Sequence, residues 1–207
     1  MTRFLFPVAG VAAALIVAFW TLTGEAGPVP APPTPAGEVL DLRGSAEALR
    51  DESPRDLAPE DAVFVGDLVA TAAKSMIEMR LGADSTLRLG ESTRLRIEAF
   101  MIEEGGEIFL DSGALFVDKD PDSKDRPIAV QSAFGQIAVR GTRFFVGPTN
   151  GVFSVFLERG ALDVTAAGVT VSLKAGEGTE IAAPGSPPAP ATPWGAARIA
   201  AAMALVE

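Results

Sequence analysis

Three short stretches of this chain hold residue types that could do chemistry. The first is Asp118-Lys119-Asp120-Pro121-Asp122-Ser123-Lys124-Asp125, whose alternate carboxylates resemble a calcium loop. A helix–loop–helix calcium site would need Gly where Ser123 stands and a bidentate Glu where Ala129 stands, and Pro121 restricts the loop further. The expectation is a surface hairpin with no metal. The second stretch is Glu103-Glu104 and Glu107 around Gly105-Gly106. Paired carboxylates can hydrolyse a glycosidic bond when their separation is fixed, but nothing in this spacing fixes it, and a solvated turn has the same composition. The third is Arg140 and Arg143, flanking Gly141-Thr142. With the backbone N–H groups between them they could form a small anion site; alternatively Gly141 permits a tight corner and both arginines are solvated or pair with acidic neighbours.

What is missing narrows the chemistry further. The chain contains no His and no Cys, which removes Ser-His-Asp and Cys-His nucleophile systems, zinc sites built from those ligands, and any disulfide. No Gly-Lys-Ser/Thr follows a glycine run, so there is no phosphate loop. The net charge of -10 argues against nucleic acid, since the densest basic group, Arg88, Arg94 and Arg96, sits among acidic residues. The acidic balance suits solubility. No catalytic residue and no cofactor is expected.

The elements that would position these residues are mostly strands. Ile77, Met79 and Leu81 alternate with Glu78 and Arg80; Leu87 and Leu89 alternate with Thr86 and Arg88; Leu95 and Ile97 alternate with Arg94, Arg96 and Glu98. That period of two puts the apolar set on one face and the charges in water. Val152 to Leu157 is apolar except for Ser154, as a strand covered on both faces would be. With 21 Gly and 16 Pro in 207 residues, breaks recur often enough for many short strands. The fold class expected is all-β, a solenoid-like or double-sheet domain, with an N-terminal hydrophobic helix and a short C-terminal helix.

Five segments are expected. Residues 1–26 hold an uncharged apolar run from Phe4 to Leu22 behind Arg3, a signal peptide or a membrane anchor. Either would leave Arg3 cytoplasmic and deliver the rest outward, to the periplasm or cell envelope. Residues 27–37 carry five prolines and suit a semi-rigid spacer. Residues 38–182 form the β domain, and 183–193 are a second proline-rich linker. Residues 194–207 are a helix with Ile199, Met203 and Val206 on one stripe, which must dock to be stable.

The β domain carries several motifs: Gly66-Asp67 opening a strand, Ser85 to Gly90, Gly113 to Val117, the strand pair Val155-Gly160-Val164, and Leu173 to Glu177. The most specific is Val139-Arg140-Gly141-Thr142-Arg143-Phe144-Phe145-Val146, of the form Val-x-Gly-Thr-x-Phe-x-Val. Together they resemble the motifs of the FecR-domain family of bacterial envelope proteins. The likeness runs over roughly residues 60 to 180. It implies an all-β periplasmic domain, and in several members a regulator that passes a signal from an outer-membrane receptor to a cytoplasmic sigma factor. This chain differs in having three residues before the apolar run and a short helix after the domain, so a stand-alone domain is expected. The expected function is a non-catalytic module that binds an envelope protein or glycan; the alternative is a periplasmic transducer working with a separate sigma-factor partner.

Overall fold

A computed structural model describes residues 33–101, 105–122, 128–139 and 141–207; the apolar run 4–22 and the start of the proline-rich spacer lie outside them. Residues 33–207 make one compact unit. Among the described residues no helix is long and apolar enough to cross a membrane.

The alternation read above organises this unit. In the hairpin of β6 (Met76–Leu81) and β7 (Ser85–Leu89), Ile77 faces Leu89 and Met79 faces Leu87 across the ladder, and all four are fully buried. Glu78 and Arg88 lie opposite each other on the other face and pair at 3.0 Å. Leu95 and Ile97 of β8 (Arg94–Met101) are likewise buried, with Ile97 opposite Ile108 of β9 (Gly105–Ser112). β6 and β8 lie in different sheets, and their apolar faces meet.

Two nine-stranded sheets result. The first also contains β1 (Pro35–Arg43), β4 (Ala62–Phe64), β10 (Leu115–Lys119), β13 (Arg143–Thr149), β14 (Val152–Arg159), β17 (Glu177–Ile181) and β18 (Thr192–Pro193). Its order is β18-β17-β14-β13-β10-β7-β6-β1-β4. The second adds β2 (Ala46–Arg50), β3 (Ser53–Asp56), β5 (Leu68–Thr71), β11 (Ile128–Ser132), β12 (Gly135–Val139), β15 (Ala161–Ala166) and β16 (Val169–Lys174). Its order is β16-β15-β12-β11-β9-β8-β5-β2-β3. From β5 onward the chain lays one or two strands in one sheet, crosses, and lays the next in the other. Among the described residues only β9 and β11 pair in parallel; every other neighbour is antiparallel. Of the two architectures expected, this is the double sheet, wound progressively along its length. The core lies between the sheets, with Val39, Leu115, Val117, Phe144, Val146 and Leu157 on one side and Val69, Ile108, Val130, Ile137 and Val164 on the other.

The two outer faces differ. The second sheet's is wet. The first sheet's carries Phe116, Phe145 and Phe156, covered by α1 (Ala196–Met203). The strand Val152–Leu157 is therefore covered on both faces, as its near-continuous apolar run implies. Trp194 stacks on Phe156 at 4.9 Å, and Ile199, Met203 and Val206 turn toward the same patch. The helix is shorter than the 194–207 segment read from composition. Gly195 precedes it in an extended conformation, so Trp194 anchors the chain before the helix begins and Val206 after it ends. The proline-rich segment before it is strapped to the sheet: the N–H of Ala189 donates to the Glu180 carbonyl at 2.8 Å, and Thr192 and Pro193 pair with β17.

Gly178 of β17 is where this docking demands a missing side chain. A Cβ there would overlap the Trp194 indole and lie 2.7 Å from the Val155 carbonyl oxygen. Replacing Gly178 by Ala is expected to unseat Trp194 and shift its fluorescence emission to the red. The measurement is made with Trp20 replaced by Phe in both proteins; an unshifted spectrum would contradict the packing described.

Candidate interaction surfaces

The Val139–Val146 element is the crossover from β12 in the second sheet to β13 in the first. Gly141 makes the corner at φ +63°, and a Cβ there would approach the Pro121 Cα to 2.9 Å, so both conformation and space favour glycine. Thr142 is fully buried; its carbonyl accepts from the Lys119 N–H at 3.0 Å, and its methyl abuts Gly160. Phe144 then points between the sheets and Phe145 under α1. The most specific motif of the sequence is thus a structural corner.

Arg143 leaves that corner along the outer face of the first sheet. Its guanidinium stands 3.5 Å from Asp118, 3.3 Å from Glu158 and over the Phe116 ring at 5.2 Å. An incoming anion would compete with two carboxylates already in place. Arg140 lies outside the described residues. Asp118 also holds Arg159 of β14 at 3.0 Å, and the Asp120 carboxylate accepts from the Asp122 N–H at 2.9 Å. The expected hairpin is instead a crossover, since β10 and β11 lie in different sheets. Among the described residues no group of three or more potential ligands is placed to hold a metal. Of the glutamates weighed for hydrolysis, Glu103 and Glu104 lie outside the described residues, and Glu107 accepts a hydrogen bond from the Gln131 amide.

What remains is the periphery of the sheets, where main-chain groups lack a neighbouring strand. Three of the four ends are blunted, as edges that avoid unwanted pairing are. β4 is three residues long, β3 contains Pro54, and β18 is a two-residue strand ending in Pro193. β16, Val-Thr-Val-Ser-Leu-Lys, is six residues with no proline. It joins β15 through Ala167-Gly168 at φ +49° and +76°, with Ala166 opposite Val169. In such a two-residue hairpin the closing pair is hydrogen-bonded and the pairs then alternate. Val169, Val171 and Leu173 therefore turn their main-chain groups to β15, while Thr170, Ser172 and Lys174 turn theirs outward. The Lys174 N–H is taken by the Glu177 carboxylate at 2.9 Å. The open donors and acceptors are those of Thr170 and Ser172, beside a Val169 that is 44% exposed.

The alternation of Val169, Val171 and Leu173 was visible in the sequence, but that this strand ends a sheet was not.

Residues 67–163 match the family model described as FecR protein. This span is a FecR domain. It runs from the turn before β5 to the middle of β15 and includes the Gly-Thr-x-Phe corner, so the family resemblance carried by those residues holds. Strands β1 to β4, the edge strand β16 and α1 lie outside the matched FecR span. Two crystal structures from Parabacteroides distasonis, at 1.65 and 2.50 Å, share the fold; their protein is described as a "putative anti-sigma factor". Both align with a TM-score of 0.54 at 14% identity over 65% of this chain. The chain spans 63% and 62% of those two structures, under two thirds of their length. No curated protein matches it.

Proposed function

We propose that this FecR-domain protein is a non-catalytic binding module of the bacterial envelope that engages a protein partner by strand addition at β16. The observation that carries the reading is the contrast among the four sheet ends: three are short or proline-blocked, and β16 is open at Thr170 and Ser172. Strand addition draws its affinity from main-chain hydrogen bonds, which fits a domain in which Arg143, Asp118, Asp120 and Glu107 are engaged with their own neighbours. Envelope location is supported by the apolar run Phe4 to Leu22 behind a lone Arg3.

Ser172→Pro tests it. Proline removes an outward donor on an edge strand, a place sheets tolerate it, and leaves the inward pairing to β15 intact. A photo-crosslinker at position 170 should trap a partner with the parent chain and lose that product with S172P, while thermal stability changes little. Equal trapping by both proteins would sink the reading.

A second reading, signal transduction to a cytoplasmic sigma-factor partner, is favoured by the description of the Parabacteroides protein. Removing residues 1–26 and exporting the remainder by another route separates the two. A binding module keeps its function after that deletion; a transducer loses it.

A further inference from the structure

On the wet face of the second sheet, five residues stand in register across adjacent strands. Asp56 of β3 is opposite Glu47 of β2, Glu47 opposite Ala70 of β5, Ala70 opposite Arg94 of β8, and Arg94 opposite Ser112 of β9. Like charges directly opposite on neighbouring strands are destabilising, and Glu47 with Asp56 is such a pair. Most charges elsewhere on the sheets have partners, among them Glu78 with Arg88, Glu38 with Arg80, Arg96 with Asp111, and Arg143 with Asp118. Glu47, Asp56 and Arg94 have neither hydrogen bond nor ion pair through their side chains among the described residues. Between the carboxylates and the guanidinium lies Ala70, whose small side chain leaves the floor of a groove of about 500 Å³, bordered also by Ala72 and Ser92.

With strands ~4.8 Å apart, Glu47 and Arg94 spring from points roughly 10 Å apart. We propose that this groove binds a short zwitterionic peptide lying across the strands, its ammonium group between Glu47 and Asp56 and its carboxylate on Arg94. Two unpaired carboxylates side by side fit one cation that answers both. A guanidinium on the far side of an alanine fits an anion two or three residues along the same ligand. The site joins Glu47 and Asp56, which lie before the matched FecR span, to Ala70 and Arg94 within it. It is independent of the β16 edge, which lies at the opposite end of the same sheet.

The test uses the full chain and trialanine, with N-acetylated and C-amidated trialanine as the two controls, followed by amide NMR shifts and titration calorimetry. Trialanine should shift the amides of Glu47, Asp56, Ala70 and Arg94. Blocking either end should weaken binding about fivefold, the upper range for an exposed charge pair. Arg94→Gln should match the loss on C-amidation, and Glu47→Gln the loss on N-acetylation. Glu47→Gln should also raise the unfolding temperature slightly, because it relieves the carboxylate repulsion. Shifts scattered away from this row, or end-blocked peptides that bind as well as the free one, would overturn the proposal. So would variants that bind like the parent.

Discussion

Asp67→Ala lowers the midpoint of thermal unfolding by roughly 6–12 °C, the expected consequence of losing about 3 kcal/mol in a unit of this size. Asp67 is fully buried in the turn between β4 and β5. Its carboxylate takes both nitrogens of the Arg55 fork at 3.1 and 2.6 Å, the Phe64 N–H at 2.9 Å, and stands 3.6 Å from Arg50. Both guanidiniums lie over the Phe64 ring, at 4.5 and 5.3 Å. Deleting the carboxylate leaves two half-buried cations side by side with nothing between them, and strands the N–H that closes the turn. Breaking one partner out of a buried pair costs far more than the pair contributes against an apolar replacement. The Asp67 main chain also binds Ile97 in the next strand, so the damage reaches β8. Calorimetry of the parent, Asp67→Ala and Asp67→Asn checks this, with Asn in between because it keeps an acceptor for Phe64. A midpoint for Asp67→Ala within about 2 °C of the parent would show the network to be ornamental.

Phe144→Ala and Phe145→Ala, one residue apart, should fail in different ways. Each removes a fully buried aromatic ring and should cost about 3–5 kcal/mol. Phe144 stands between the sheets, where a cavity weakens the cooperative core, so its loss should lower the global unfolding temperature. Phe145 stands on the outer face among Phe116, Phe156 and Trp194, under α1. An eight-residue helix has little stability of its own, and this one has no side-chain N-cap. Its loss should raise amide exchange across residues 196–206 while the strand amides keep their protection. Exchange spreading equally through strands and helix in Phe145→Ala would mean the helix and the sheets unfold as one.

Much of this architecture was legible from the residues. The alternation at 76–81, 87–89 and 94–98 named the buried faces correctly, because a strand presents successive side chains to opposite sides whatever its neighbours are. The near-continuous apolar run at 152–157 announced a strand covered twice. The helical stripe of Ile199, Met203 and Val206 announced that the C-terminal segment needed a surface to lie on. The Gly-Thr-x-Phe element was recognisable as a family mark, and the structure supplies its reason: a positive φ at Gly141, a buried Thr142, and two phenylalanines aimed at opposite layers.

Partners were not legible. Period two assigns a face to each side chain but says nothing about which strand lies alongside, and pairing depends on how crossovers deliver hairpins to one sheet or the other. The sequence left Arg143 open between an anion and acidic neighbours, because Asp118 and Glu158 are distant along the chain; the sheet sets them within 3.5 Å. Nothing in the sequence joined Glu47 and Asp56 to Arg94, because they share a row only after four strands from two hairpins and a bridging strand are laid in register. In the same way, β16 is open because, among the described residues, no further strand is added beyond it. The residues by themselves decided that the chain builds half-buried strands and a docked tail, since burial of apolar surface acts locally along each strand. Only the assembled sheets decided which charges are satisfied and which edge is free, since those are properties of long-range pairing.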